Sequence, residues 1–207
     1  MTPLREPIAV DRLAPRDERA AVASLSAAFA NYEFLAALCP DPGRRRWVTE
    51  AFARFLFRLT VRTGVMYATR DRAAIACALP PGREWPSEWD YVRCGALSVA
   101  WRLRVRSGLW FMRLGSWFDI TRERQMGERP HWYVHLLGVR PESQGRGLSR
   151  AVMRPIFDAA DRDRVPVYLE TMPQANVAIY KKLGFGLVGY TELPGGVPNR
   201  EMVREPR

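Results

Sequence analysis

The stretch Trp132-Tyr-Val-His-Leu-Leu-Gly-Val-Arg-Pro-Glu-Ser-Gln-Gly-Arg-Gly-Leu-Ser-Arg-Ala151 decides how the chain is read. Residues 132–139 form an apolar run of aromatic and branched side chains, which predicts a buried strand. A polar turn, Arg140-Pro141-Glu142-Ser143, follows it. From Leu148 the period changes: Leu148, Ala151, Val152, Pro155, Ile156, Ala159 and Ala160 recur at spacings of three and four, one face of a helix. A strand therefore feeds a turn carrying Gly145 and Gly147, and that turn opens a helix. The first turn of a helix has backbone N–H groups without partners, and the helix dipole adds partial positive charge. Glycine, lacking a Cβ, lets a bulky anion approach this backbone. Arg146 and Arg150 add full charges, so the turn suits a pyrophosphate. Neither G-x-x-x-x-G-K-[ST] nor G-x-G-x-x-G after a first strand occurs, which sets aside ATP and dinucleotides.

Working outward, Gln144-Gly-Arg-Gly147-Leu-Ser149 resembles the Gln/Arg-x-x-Gly-x-Gly/Ala signature of the GNAT superfamily of acyl-CoA-dependent N-acyltransferases. Ser149 departs from the last position but is small. Two further segments match in the right order: Tyr168-Leu-Glu-Thr171, like the family's next strand end, and Asn176-Val-Ala-Ile-Tyr180-Lys-Lys-Leu-Gly184-Phe185, like its following helix and strand. The resemblance implies an α/β fold: a mixed, mostly antiparallel central sheet, splayed at the acyl-CoA site, with helices on both faces. One domain over residues 1–207 is expected, with residues 82–129 as a helical insertion shaping the acceptor pocket. Within the superfamily the chain is most similar to puromycin N-acetyltransferase-like members. That likeness runs through Ala27-Ala-Phe-Ala-Asn-Tyr32, Pro40-Asp41, Val48-Thr-Glu50, Gly138-Val139, Val165-Pro166 and Leu169-Glu-Thr171. Residues 87–125 depart from it, being richer in tryptophan and arginine.

The 207 residues, 47% of them hydrophobic and 26% charged, suit a globular domain with a sizeable core. All but two of the 32 basic residues are arginine, and the net charge is +10. Such a field attracts polyanions, whether nucleic acid, an anionic membrane or the phosphates of CoA. The three cysteines, Cys39, Cys77 and Cys94, form no C-x-x-C pair, and two histidines are too few for a metal cluster. No metal is expected. The start of the chain is polar and broken by Pro3 and Pro7, and no apolar run is long enough to span a bilayer, so a cytoplasmic protein is expected.

Taken in order, residues 7–13 read as a first strand, and Asp17 as the cap of a helix with Val22, Leu25, Ala28, Phe29 and Tyr32 on its face. A long helix follows over 44–62, then a hairpin of strands 65–69 and 73–79. Residues 87–125 read as two helices broken near Ser107-Gly108. They carry Trp89, Tyr91, Trp101, Trp110, Phe111, Trp117 and Phe118, either as an aromatic lid, as helices packed on the body, or as a membrane-surface element. The expectation drawn from them is that some of the four tryptophans face the acceptor cleft. A helix from Gly147 with Pro155 inside it, a strand at 165–171, a helix at 174–183 stopped by Gly184, and a closing hairpin over 185–204 complete the chain.

Acyl transfer from a thioester to an amine needs a held thioester, a neutral amine, a stabilised oxyanion and a proton for the leaving thiolate. The resemblance places acetyl-CoA, the acyl donor, along Leu137, Gly138 and Val139. Its pyrophosphate lies on Gln144, Gly145, Arg146, Gly147, Leu148 and Ser149, and Asn176 touches it from the next helix. Tyr180, one helical turn beyond Asn176, is implied as the acid that protonates the sulfur, with a core tyrosine packed ahead of Leu183 and Phe185 as its alternative. Glu170 is the first candidate base, with a salt bridge to the first helix as its alternative role and His135 and Tyr32 as further candidates for the base. Tyr32 and His135 are candidate substrate contacts, and His135 also reads as a packing residue. The acceptor implied is a primary amine of a small molecule, of aminonucleoside-antibiotic type. Alternatives are acetylation of a polyamine or protein amine, and a non-catalytic acyl-CoA-binding module. No nucleic acid and no integral membrane partner are expected, although the net charge and the basic Arg–Trp helices would suit a nucleic-acid binder.

Overall fold

The computed structural model describes residues 8–83, 85–103, 105–193 and 196–207. Seven strands form one sheet: β1 (Val10–Arg12), β2 (Val65–Thr69), β3 (Ala74–Leu79), β4 (Trp132–Val139), β5 (Val167–Thr171), β6 (Gly186–Leu193) and β7 (Val197–Arg204). Their spatial order is β1-β2-β3-β4-β5-β7-β6. Every neighbouring pair is antiparallel except β4 and β5. The sheet is therefore mixed and mostly antiparallel, as expected.

The single parallel pair creates an opening in the sheet. β4 and β5 are in register only over Trp132–Val167, Tyr133–Tyr168 and Val134–Leu169. Beyond that, β4 stays with β3 as far as Val139, and β5 stays with β7 as far as Thr171. The two strands part, and the β5-facing edge of β4 after Val134 has no strand partner among the described residues. A bulge adds to the bend: Cys77 and Ala78 of β3 face Leu136 and Val134, which makes His135 the extra residue.

Helices cover both faces. Against one lie α1 (Glu18–Phe29) and α3 (Pro42–Thr63), then α4 (Glu88–Cys94), α5 (Ala96–Arg102) and α6 (Val105–Met126). Their buried residues meet Met66, Ile75, Cys77 and Leu136. Against the other lie α7 (Leu148–Arg162) and α8 (Gln174–Lys182), packed on Ala74, Ala76, Ala78, Val134 and Leu169. β3 is buried at every position because it is covered on both sides. The tight 3.6-residue stripe of α7 (Val152, Met153, Ile156 and Ala160, none of them solvent-exposed) seats it beside the opening. Gly184, at φ 99°, follows α8 as expected.

Several local expectations are corrected. A short helix, α2 (Glu33–Leu38), was not legible; Phe34 and Leu35 bury it against Leu193. Asp17 precedes α1 but does not cap it, since its carboxylate accepts from Ala14 N and pairs with Arg72. Asp41 is a true cap, accepting from Gly43 N and Arg44 N at the start of α3. The segment 87–125 holds three helices, broken at Gly95, which takes φ 104°, and after Arg102. Ser107 and Gly108 lie inside α6. Gly108 is a point of close approach: a Cβ there would lie 2.5 Å from the Ala100 carbonyl oxygen of α5. The four tryptophans of the segment do not line the cleft. Trp89 and Trp101 are 70% and 82% exposed, Trp117 is exposed, and Trp110 packs on Phe34.

Candidate active site

Where β4 and β5 part, a cavity of about 510 Å³ opens between the sheet and the helices. Its apolar wall comes from α1 to α6, and includes Phe29, Phe34, Phe52, Tyr91, Phe111 and Phe118. Tyr32, His135, Leu137, Glu170, Asn176 and Tyr180, all singled out from the sequence, also line it. The chain thus gathers residues from those six helices, from β4 and β5 and from α8 around one opening.

Glu170 alternates with Leu169 on β5, so Leu169 enters the core under α7 while Glu170 points to the α6 side. Among the described residues no cation bridges it to α1; three hydroxyls surround it instead. Tyr168 donates to Oε1 and Tyr133 to Oε2, each at 3.0 Å, and the Thr121 hydroxyl lies against Oε1. Both phenols are held well above their ordinary pKa, by burial first and then by the Glu170 charge, so they stay protonated and can only donate. Burial pushes Glu170 up to about 7, while the three hydroxyls and the nearby Arg122 charge hold it from rising further. That is the value a base needs near neutrality.

Arg122 was not anticipated. It is 1% exposed, with its guanidinium between the rings of Trp85 (3.9 Å) and Tyr133 (4.3 Å). One nitrogen donates to Asp119 at 2.6 Å, and burial raises the Asp119 pKa despite that contact. Its charge lowers His135 further after burial has done most of the work, to about 4, so the imidazole is neutral. His135 Nε2 lies 2.7 Å from the Thr60 hydroxyl. Thr60 also donates its one proton to the Leu56 carbonyl, so the ring nitrogen is the donor between them. His135 is thus anchored to α3, the packing role that its sequence reading kept open.

Tyr180 reaches the cavity from α8, across the gap from Glu170. It is 8% exposed, with its ring edge-on to Phe185 at 5.7 Å. Burial, with a smaller contribution from Tyr32, raises its pKa, so it holds its proton. Asn176 donates to Thr171 Oγ1 at 3.0 Å. Tyr32 stands edge-on to Phe29 at 5.3 Å.

The turn before α7 is bare. Gly145 and Gly147 take φ 75° and 79°, and a Cβ on either would meet nothing within 4 Å. No side chain caps α7. Gln144, Arg146 and Arg150 are exposed; Arg150 donates to the Lys182 carbonyl and Gln144 approaches the Val139 carbonyl. Leu148 is buried beneath α7, and Ser149 is half-buried. Such a bare, positively polarised helix start fits a pyrophosphate.

A sequence profile of the Acetyltransferase (GNAT) family matches residues 67–185, from β2 through the cavity strands to the end of α8. The chain belongs to the GNAT acetyltransferase family. It is an acetyltransferase of a family that uses acetyl-CoA. An uncharacterized N-acetyltransferase of Schizosaccharomyces pombe is 27% identical, over 96% of this chain and 84% of that one. Among solved structures, a histone acetyltransferase and related acetyltransferase of Corynebacterium glutamicum superposes with TM-score 0.66 at 20% identity, covering 96% of each chain. A polyamine N-acetyltransferase of Drosophila melanogaster superposes with TM-score 0.61 at 16% identity, over 95% of this chain and 99% of that one. Among the described residues, no helix is long and apolar enough to cross a membrane.

Of the residues that shape the site, Arg122, Asp119, Thr121, Tyr133, Tyr168 and Asn199 were missed. Tyr168 had a signal, since it stands two positions before Glu170 and so shares its face of the strand. The others depend on which helix docks on which strand.

Proposed function

We propose that this GNAT enzyme transfers the acetyl group of acetyl-CoA directly to a primary amine of a small molecule with an aromatic or otherwise apolar body, of aminonucleoside type. The carrying observation is one cavity that joins a buried carboxylate of pKa about 7 to a protonated tyrosine across the strand gap, walled by aromatic rings. In this reading Gln144 to Ser149 and the N-terminus of α7 hold the pyrophosphate. The free edge of β4 at Leu137, Gly138 and Val139 pairs with the pantetheine amides. Backbone N–H groups on that edge steady the oxyanion, an effect worth up to about 4 kcal/mol in other enzymes. Asn176 steadies the cofactor from α8.

Glu170 takes the proton of the incoming ammonium, and the neutral amine then attacks the thioester carbonyl. As the carbon–sulfur bond breaks, Tyr180 passes its hydroxyl proton to the sulfur and recovers one from solvent or product. Tyr32 and the ring wall hold the body of the acceptor. Helices α4 to α6 shape the far side of this acceptor site, within one domain. A cytoplasmic location and a place near the puromycin N-acetyltransferase-like members belong to the same reading.

The test is free-thiol release from acetyl-CoA against a panel of amines. An aromatic amine such as puromycin aminonucleoside or phenethylamine is expected to turn over faster than spermidine or a lysine peptide. Tyr180→Phe is expected to slow the preferred reaction at least about tenfold, with acetyl-CoA affinity unchanged. A preference for spermidine would overturn the acceptor class.

A further inference from the structure

Two buried polar groups at the cavity have no hydrogen-bond partner among the described residues. Asn199 of β7 is 0% exposed, yet neither Oδ1 nor Nδ2 has a hydrogen-bond partner. Arg122 Nε, on a side chain 1% exposed, has none either. Both residues line the same cavity. Buried amides are normally satisfied because desolvating one without a partner costs stability. A chain that leaves both ends of Asn199 unmatched beside a substrate cavity is prepared for a partner that arrives with the substrate.

The sheet register fixes where that partner must lie. Glu170 faces Glu201 across β5 and β7, and Asn199 lies two residues before Glu201 on the same face. Diagonal neighbours of this kind are roughly 7–8 Å apart, so the Asn199 amide lies close to the carboxylate that receives the amine. Arg200, between them, turns to the opposite side and donates to the Met172 carbonyl.

The chemistry of the vacancy is specific. Asn199 offers a donor and an acceptor in one plane, and Arg122 Nε adds a donor. An ammonium would satisfy only the Asn199 oxygen, and a carboxylate only the donors. Among the described residues that line the cavity, Arg122 is the one arginine or lysine and it is already paired with Asp119, which leaves a carboxylate no free counter-charge there. A carboxamide presents both N–H and C=O and carries no charge. We infer that Asn199 reads a carboxamide lying within a few bonds of the acceptor amine, so that the acceptor class is an aromatic amino amide. This deepens the proposed acetylation of small aromatic amines and rests on it.

The test compares two acceptors that differ only in this group, phenylalaninamide and phenethylamine, with acetyl-CoA as donor. The two amines differ in their own pKa, so the quantity to read is how Asn199→Leu changes their ratio. Asn199→Leu is expected to lower kcat/KM for phenylalaninamide at least tenfold, mainly through KM. Phenethylamine should move less than twofold and acetyl-CoA affinity not at all. The unfolding midpoint of the unliganded variant should be no lower than wild type, because the substitution removes an unmatched amide. A residue of purely structural value would lower the midpoint and both rates together. Asn199→Ala serves the same comparison if the leucine variant does not fold. Equal losses for the two acceptors, or no loss for either, would overturn the role of Asn199 while leaving aromatic-amine acetylation standing. If wild type acetylates neither, that reading falls and this one with it.

Discussion

A single carboxylate, Glu170, shows how burial and hydrogen bonding set chemistry. Its pKa of about 7 lies above the ordinary 4.5 because burial outweighs three hydroxyls and one arginine. The folded chain therefore holds this proton more tightly than the unfolded chain. Below pH 4.5 both states are protonated and the residue has no effect on stability. Between 4.5 and 7 only the unfolded state releases the proton, so stability falls as pH rises, and above 7 the whole penalty is present. That penalty is at most about 3 kcal/mol. Glu170→Gln is expected to raise the unfolding free energy at pH 8 by about 1–3 kcal/mol and to have much less effect near pH 5. The same variant should lose turnover at neutral pH and recover it at high pH, where the acceptor amine is already neutral. Chemical denaturation at two pH values, beside a pH–rate profile, checks both. A stabilisation that does not grow with pH would mean that Glu170 is not the buried ionised group.

Among the elements, the strand–turn–helix of β4 and α7 was legible because its signals are local. A continuous apolar run and a period-3.6 pattern meet at two glycines, and neither requires knowledge of the rest of the chain. The same holds for α3, the β2–β3 hairpin and the stop at Gly184. Residues 87–125 were misread because Gly108 has a tertiary reason: α5 crosses close to α6, and only a residue without Cβ leaves room for the Ala100 carbonyl. α6 is then fixed to the sheet by Thr121 on Glu170 and by Arg124 and Gln125 on the fully buried Glu201. Those partners are about 50 to 80 positions apart in sequence and carry no local signature, which is why half of the site was invisible. At the α7 turn, Gly147→Asp gives a direct check. Aspartate is among the residues that tolerate a left-handed backbone, and open space awaits its side chain, so the fold should hold. Its carboxylate would stand where the pyrophosphate is expected. Calorimetry should show acetyl-CoA affinity falling at least about a hundredfold, with the unfolding midpoint within a few degrees of wild type.

Across the whole molecule, aromatic residues divide between two surfaces that composition alone could not separate. The exposed set, with Trp47, Trp89 and Trp101 each 70% exposed or more, stands among arginines on the helical side. The buried set of phenylalanines and tyrosines lines the cavity. The phenylalanines pack edge-on and tilted against one another, as Phe52 and Phe55 do around Phe111, at ring separations near 6 Å. Trp89, Trp101 and Trp117 lie outside that wall, and Trp132 is buried in the core beneath α7. Acceptor recognition should then depend on the phenyl wall and not on the tryptophans. Phe118 is the best probe, because it lines the cavity from α6 without being fully buried. Phe118→Ala should raise KM for an aromatic amine about 5- to 30-fold, the equivalent of losing about 1–2 kcal/mol of ring contact. A small amine without a ring, such as ethylamine, should show no matching change, and acetyl-CoA affinity should stay constant. Trp101→Ala, at a position 82% exposed, should alter none of these quantities. If Trp101→Ala weakens the aromatic amine as much as Phe118→Ala does, the acceptor binds on the outer helical surface and the cavity assignment fails.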